Sequence, residues 1–388
     1  MNKVSLLKCN NYNLTELKSV ILKSLANINF DLSTLDGARV IVKPNLLMPA
    51  RESKAIITHH EFYRAIVQIV KENGGTPVLL ESPAIHSLKR VINKTDYKTI
   101  IEEENIEVVD PAPTKTLSYE NAKSFRKIDI SEEYFNADII INVPKFKTHG
   151  ITYVTGAVKL LFGVIPGLAK SKMHFKLPAH TDFSDFLLDL YGAITYGFSP
   201  QKPVIHIMDA VLAMEGEGPG PGGKAKIMGA VLAGRNGVAI DYVATEVAGL
   251  DYQKSFTITE GFNRNFGVNS PEEIEVIGNT LEEMKIDNFE PASGNSILSN
   301  AYRWPLNTKT FRNLIVERPV PQKDKCTACY QCKKICPAGV IEIAGDGKLP
   351  KYNYRECIRC YCCLEICPEA AIKKKKGKLQ WFLPGKSA

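Results

Sequence analysis

The sequence predicts an α/β fold, a doubly wound and mostly parallel sheet joined to a small α+β module that cysteine ligation, not a hydrophobic core, holds together. Three observations carry that expectation. β-branched runs alternate with amphipathic helical stretches across the first 280 residues. The segments that follow those runs gather lysine, histidine and glycine. Eight of the ten cysteines repeat one spacing near the C-terminus.

Arg39-Val40-Ile41-Val42-Lys43 reads as a buried strand, because a short branched apolar run is the signature of a parallel sheet interior. Thr58-His59-His60-Glu61 reads as a capping box, opening a helix through Ile66, Val67, Ile69 and Val70 to Asn73-Gly74-Gly75. Thr76-Pro77-Val78-Leu79-Leu80-Glu81 is the next strand, and the three form a right-handed βαβ unit. Further strands are expected at 106–109, 138–143, 204–208 and 227–232, and helices near 87–105, 182–196 and 237–248. Together they predict a Rossmann-like domain over residues 1–280. Residues 281–322 have weak periodicity, and Trp304 and Phe311 point to a connector packed on that domain, not a free linker. The cysteine-rich module occupies 323–375 and a basic tail 376–388.

The 388 residues are 44% hydrophobic and 23% charged, the composition of an ordinary globular chain. No apolar stretch approaches the eighteen or so residues that a membrane span needs. The formal net charge is +7. If eight thiolates bind two clusters carrying about −2 each, the loaded protein falls to roughly +3, so its basicity is weak support for nucleic acid. Lysines interleaved with exposed aromatics would mark a single-strand binder, and only Phe146 fits that pattern.

Cys326, Cys329, Cys332 and Cys336 make C-x2-C-x2-C-x3-C-P, ending at Pro337, and Cys357, Cys360, Cys363 and Cys367 repeat it, ending at Pro368. This is the run of bacterial two-cluster ferredoxins, in which three thiolates hold one 4Fe-4S cluster and the fourth reaches the other. The expected sets are Cys326, Cys329, Cys332 with Cys367, and Cys357, Cys360, Cys363 with Cys336. Zinc has no use for a third cysteine three residues on. Disulfides need an oxidising compartment, whereas Met1-Asn2-Lys3-Val4-Ser5 begins no apolar signal segment. Exposed low-potential clusters are oxygen-sensitive, and that chemistry leads us to expect a cytoplasmic and anaerobic setting. Cys9 reads as a small buried hydrophobe. Cys362, beside a ligand, reads as packing or as a substitute ligand. The run Lys373-Lys374-Lys375-Lys376-Gly377-Lys378 is either solvated or steers an acidic redox partner.

In an open parallel sheet, ligands sit beyond the carboxyl ends of the strands. Here those ends carry Lys43-Pro44-Asn45, Pro144-Lys145-Phe146-Lys147-Thr148-His149-Gly150, Thr155-Gly156-Ala157-Val158-Lys159, and then Lys170, Lys172 and His174. Converging cations repel one another unless an anion joins them, and glycine lets backbone N–H groups approach its oxygens. Lys43, Asn45, Lys145, Lys147 and Lys159 are therefore the expected anion or cofactor ligands, with His149 or His174 as the proton donor. Asp209 and Glu215, after the 204–208 strand, read as an acid/base pair, a divalent-ion site or structural partners of the lysines. The following Gly216-Glu217-Gly218-Pro219-Gly220-Pro221-Gly222-Gly223 reads as a loop that takes positive φ angles and closes over a site. No Walker A loop is present, and no Gly-x-Gly-x-x-Gly follows the first strand.

Val42-Lys43-Pro44-Asn45-Leu46, Pro144 to His149, Thr155 to Lys159 with Phe162-Gly163 and Pro166-Gly167, and Asp209-Ala210 with Met214-Glu215-Gly216-x-Gly218-Pro219 resemble the domain-of-unknown-function family 362. Members of that family are often fused to a two-cluster ferredoxin, as here. The chain departs from the family's commoner pattern at Leu160-Leu161, where many relatives carry an asparagine. The resemblance implies the architecture and supplies no reaction.

The expected function is therefore redox: a ferredoxin-linked oxidoreductase that exchanges single electrons with a redox partner protein and acts on an anionic small molecule, or on a bound anionic cofactor such as a flavin. The alternative is a non-catalytic electron carrier or assembly factor whose α/β domain docks a partner protein.

Overall fold

A computed structural model describes residues 2–83, 85–167, 169–177, 179–293 and 316–377. Trp304 and Phe311 lie outside the described residues, as do Lys378 and the rest of the tail beyond it. In chain order the strands are β1 (Asn2–Lys8), β2 (Arg39–Pro44), β3 (Thr76–Leu79), β4 (Glu107–Val108), β5 (Thr114–Ser118), β6 (Lys127–Ser131), β7 (Ile139–Val143), β8 (Lys145–His149), β9 (Tyr153–Thr155), β10 (Val204–Gly216), β11 (Gly223–Gly234), β12 (Ile274–Gly278), β13 (Arg318–Pro321), β14 (Ile341–Ile343), β15 (Pro350–Tyr352) and β16 (Ile372–Lys375).

The central sheet runs β12-β1-β11-β10-β7-β2-β3-β4, with β8 beside β10 and β9 beside β8. Pairing is parallel throughout the β10-β7-β2-β3-β4 half and between β1 and β12. Strand β11 runs against both of its neighbours, and β9 against β8. The period-two alternation of a strand sorts side chains onto two faces. Ile41, Ile140 and Met208 face one core, built with the helices His180–Tyr196 and Gly237–Val247. Val40, Val42, Ile139, Ile141 and Ile207 face the other, covered by the helices Leu14–Asn27 and His60–Glu72. Helices on both faces make the sheet doubly wound, as the alternation predicts.

Four differences from the sequence expectation bear on the site. The helix expected at 87–105 is two helices, Leu88–Ile92 and Tyr97–Glu103. His59, not Thr58, caps the helix His60–Glu72, its ring accepting from the Glu61 N–H at 3.2 Å. The Thr58 hydroxyl instead ties β7 to the 45–58 loop, donating to the Val143 carbonyl at 2.8 Å and accepting from the Asn45 N–H at 2.9 Å. Lys145 to His149 is strand β8, not a loop, and β10 continues to Gly216, so Asp209 and Glu215 lie within a strand.

The glycine-rich run is the tight turn of the β10–β11 hairpin. Of its glycines only Gly216 has a positive φ, 72°. Gly218 and Gly220 are needed for close approach: a Cβ on Gly218 would come within 2.3 Å of the Thr148 carbonyl oxygen, and one on Gly220 within 2.3 Å of that of Glu365. The hairpin tip thus seats against the cysteine-rich module.

That module pairs β13 with β16 and β14 with β15 around a small core of Val340, Ile341, Tyr352, Ala371, Ile372 and the cysteines. Its basic strand does not hang free. Lys374 pairs with Glu217 at 3.1 Å, donates to the Ser293 carbonyl at 2.5 Å and lies over the Tyr361 ring at 5.2 Å. Among the described residues no helix is long and apolar enough to cross a membrane.

Candidate functional site

Strand β8 turns the string Lys-Phe-Lys-Thr-His into two lysines and a histidine on one face, since alternate side chains share a side. Phe146, pointing the other way, enters the core against Phe289 at 6.0 Å. The three side chains then meet different partners. Lys145 donates at 2.8 Å to Asp209 and at 2.8 Å to the Tyr12 hydroxyl. Asp209, fully buried, also accepts from Tyr12 at 2.9 Å and from the His59 N–H at 3.0 Å. Lys43 is matched in the same way by Glu81, which also accepts from the Ser82 N–H at 2.7 Å. Both lysines carry their counter-charge inside the fold, so neither awaits an external anion.

Lys147 and Lys159 differ. Lys147 is 1% exposed and donates only to neutral acceptors, the Asn45 amide oxygen at 3.1 Å and the Ile56 carbonyl at 2.8 Å. Burial, with the nearby charges of Lys159 and Lys145, pushes its pKa down to about 7. Among the described residues the Lys159 amine makes no hydrogen bond or ion pair. Burial lowers its pKa too, against the pull of Glu365. Its position is set by Asp241 on the helix Gly237–Val247, which accepts from the N–H groups of Ala157 (2.5 Å) and Val158 (3.1 Å). Gly156 is required there, because a Cβ would lie 2.0 Å from the Asp241 carboxylate. Burial raises the Asp241 pKa to about 7, opposed by those two N–H groups.

Lys147 and Lys159 open on a cleft between the two domains, with about 840 Å³ of empty space counted out to its open mouth. Its polar lining adds Asn45, Glu81, Ser82, Thr155, Lys170 and His174, and its apolar wall includes Leu46, Leu160 and Phe162. The module closes the far side with Ile335, Cys362, Glu365 and Ile366, and the hairpin tip adds Pro219. The buried Thr155 hydroxyl has no hydrogen-bond partner among the described residues. Lys170 donates to the Ser82 carbonyl, and burial pushes its pKa down to about 8.

The two histidines expected to donate protons are held neutral. His149 accepts at Nδ1 from the N–H groups of Ile151 (2.9 Å) and Thr152 (3.3 Å), which assigns its proton to Nε2, 3.4 Å from Glu365. Burial, then the charges of Lys159 and His174, hold its pKa far below the usual imidazole value. His174 stacks on Phe183 at 4.2 Å, and burial pushes it down to about 3. The amines of the cleft brought close to neutral pH are therefore Lys147 and Lys170. Asp209 and Glu215 form no acid/base pair: six residues of strand separate them by roughly 20 Å. Glu215 accepts from the Glu290 N–H at 3.0 Å and lies 3.9 Å from Lys226.

Both cysteine runs bend in the same way. Ala328 and Tyr330 have φ of 54° and 54°, and their counterparts 31 positions on, Arg359 and Tyr361, have 61° and 55°. Alternating left-handed residues of this kind turn successive backbone N–H groups inward, the concavity that holds anionic clusters. The thiols also sort by proximity. Cys367 is raised by burial and then by the charges of Cys329 and Cys326, and Cys336 by burial and then by Cys360 and Cys357. Each fourth cysteine thus keeps company with the opposite run, and the donor set fits iron–sulfur ligation. Cys362, buried, packs with Ile335, Ile366, Ile85 and Cys360 and faces the cleft. Cys9 is buried in the sheet core.

Sequence reasoning missed Glu81, Asp241, Thr155 and Glu365. Glu81 follows strand β3 and was available to the rule that directs attention to strand ends. Asp241 sits mid-helix and Glu365 inside the cysteine run, so nothing local marks either as part of a cleft.

The 4Fe-4S dicluster domain matches residues 318–368, which makes this an iron–sulfur protein. The thylakoid-associated protein sll1697 of Synechocystis sp. (strain ATCC 27184 / PCC 6803 / Kazusa) is 32% identical over 216 residues, which cover 55% of this chain and 64% of that protein. The lactate racemase apoprotein from Thermoanaerobacterium thermosaccharolyticum aligns in structure with a TM-score of 0.34 and 14% identity, over 54% of this chain and 51% of that one. The domain of unknown function DUF362 matches residues 40–246, more than half of the chain, which therefore belongs to that family.

Proposed function

We propose that this protein is a ferredoxin-linked oxidoreductase that holds an anionic small molecule in the cleft between its α/β domain and its cysteine-rich module. One observation carries the reading: the cleft lined by Lys147 and the unpaired Lys159 is walled on its other side by Cys362, which lies between the ligand cysteines Cys360 and Cys363. Two 4Fe-4S clusters on the crossed cysteine sets would supply single electrons within reach of whatever the cleft holds.

This chain's own residues would do the rest. Lys147, Lys159 and the unpartnered Thr155 hydroxyl would form an anion-binding end of the cleft. Leu46, Leu160, Ile335 and Ile366 exclude water from an apolar body, which strengthens each charge contact. Protonated Lys147 or Lys170 hands a proton to a reduced product, their depressed pKa values lying near the operating pH that general-acid work favours. Glu81 and Asp209 keep Lys43 and Lys145 from competing for the anion. Eight cysteines committed to iron–sulfur ligation support a reducing compartment such as cytoplasm.

The test is oxygen-free purification followed by metal analysis and a search for a co-purifying anionic small molecule or flavin. The reading expects iron near eight per chain and a ligand whose retention drops at least tenfold in the Lys147→Ala/Lys159→Ala double variant. Unchanged retention in an iron-replete double variant would overturn the cleft assignment, and a clean absence of any small-molecule ligand or turnover would favour a carrier or assembly role.

A further inference from the structure

The two ends of the cysteine-rich module are unlike. Cys329 is the exposed member of the ligand set, whereas in the opposite set Cys357 and Cys363 are buried and Cys360 packs toward the cleft. Exposed lysines flank Cys329 on both sides in the chain: Lys323 and Lys325 before it, Lys333 and Lys334 after it, with Asp324 as the opposing charge of that stretch. Among the described residues none of these four lysines forms an ion pair. The positive surface continues onto the α/β domain. His86 lies against Gln331, and besides burial the charges of both Arg90 and Lys334 depress its pKa, which brings the exposed Lys89 and Arg90 of the helix Leu88–Ile92 next to the module.

We infer that this face, centred on Cys329 and framed by Lys323, Lys325, Lys333 and Lys334, is the docking surface for an acidic electron-carrier protein. The inference rests on the iron–sulfur reading of the module but not on the cleft assignment. A carrier must bring its own redox centre close to an exposed ligand, and Cys329 offers the point of approach. Like charges unpaired inside the protein are matched by a partner of opposite sign, which speeds encounter and fixes orientation without demanding a large buried interface. Exchange there moves one electron between the proteins, oxidising one and reducing the other, with no bond made and no proton transferred. In the Lys373-Lys374-Lys375 strand, the other basic stretch of the module, the central lysine is engaged within the protein: Lys374 is held by Glu217 and Ser293.

The experiment uses oxygen-free holoprotein and an acidic flavodoxin as the probe, with calorimetric Kd and the second-order rate of electron transfer as separate readouts. For the parent, Kd should weaken and the rate should fall about tenfold or more between roughly 20 and 200 mM salt. Reversing the four lysines (Lys323→Glu, Lys325→Glu, Lys333→Glu, Lys334→Glu) should weaken Kd at low salt by at least tenfold and flatten the salt dependence, while iron content and reduction by dithionite stay as in the parent. Reversing Lys373 and Lys375 instead should change Kd less than about twofold. Salt-independent binding of the parent, or parent-like binding by an iron-replete quadruple variant, overturns the docking surface. Should the quadruple variant lose iron, the parent's salt dependence and the Lys373→Glu/Lys375→Glu comparison still decide the matter. Absence of iron from the parent would instead sink the iron–sulfur reading itself.

Discussion

The two cysteine runs share spacing, turn geometry and even the positions of their left-handed residues, yet their surroundings are opposites. The first run presents Cys329 to solvent among lysines. The second is pressed against the α/β domain, with Gly220 seated on Glu365 and Cys362 walling a cleft. A duplicated motif that is symmetric in sequence thus has an outward and an inward side once it is docked, and docking, not the motif, assigns the roles.

Cysteine substitutions break the comparison most strongly. Cys360→Ser and Cys326→Ser should each cost up to about half of the bound iron, because each removes one ligand from one set. The inward variant should also lose the cleft ligand, and the outward one should keep it, as mass spectrometry of oxygen-free protein would show. Equal ligand loss in both would mean that the two sides are not distinct.

The lysines sharpen the same contrast. Lys43→Ala and Lys145→Ala each strand a buried carboxylate, and thermal unfolding should report destabilisation of about 3–5 kcal/mol. Lys147→Ala leaves only neutral acceptors behind and should cost less stability but more ligand. If Lys147→Ala proved as destabilising as Lys145→Ala, the division between paired and ligand-facing lysines would fail.

Gly220→Ala, at the seat of the inward run, forces a Cβ onto the Glu365 carbonyl and should cost about 1–3 kcal/mol. Hydrogen exchange should rise around Glu365 and not around Cys329. Gly339→Ala, where nothing lies within 4 Å, tests the backbone alone, since its φ is 65°.

A smaller effect concerns pH. Lys147 titrates near 7 in the fold and near its ordinary 10.5 when unfolded. Between those values the unfolded chain holds the additional proton, so this group makes stability rise with pH, by at most about 1.4 kcal/mol per unit. Anion retention runs the other way: it needs the protonated amine and should weaken above pH 7 by no more than about tenfold per unit. Equilibrium dialysis across pH 6–9 checks the direction, and Lys147→Ala should flatten it. Lys374→Ala, at the half-exposed Glu217 pair, should shift stability by under about 1 kcal/mol.

Much of the fold was legible because its signals are local. The runs at 39–43, 76–81, 138–143 and 204–208 are each apolar, short and bounded, and every one is a strand of the central sheet. The cysteine spacing announced its chemistry for the same reason. What escaped was the continuation of strands through polar residues. Lys-Phe-Lys-Thr-His carries period-two alternation but reads as a loop after Pro144, and β10 runs on past Met208 through Asp209 to Gly216. Reading β8 as a loop merged four cations into one anion site, although Asp209 and Glu81 divide them. Such pairings join residues 64 and 38 positions apart, and no local pattern encodes them. The basic tail misled in the same way, since Lys374 lies within reach of Glu217 only once the module has docked.

The central claim is that the inward cysteine run and the Lys147–Lys159 pair share one cleft. The most direct measurement is the native mass of oxygen-free protein, parent beside the Lys147→Ala/Lys159→Ala variant. The account predicts iron and sulfide for two clusters in both, and an additional anionic small molecule in the parent alone. A ligand held equally by both proteins, or a parent that carries zinc in place of iron, would contradict it.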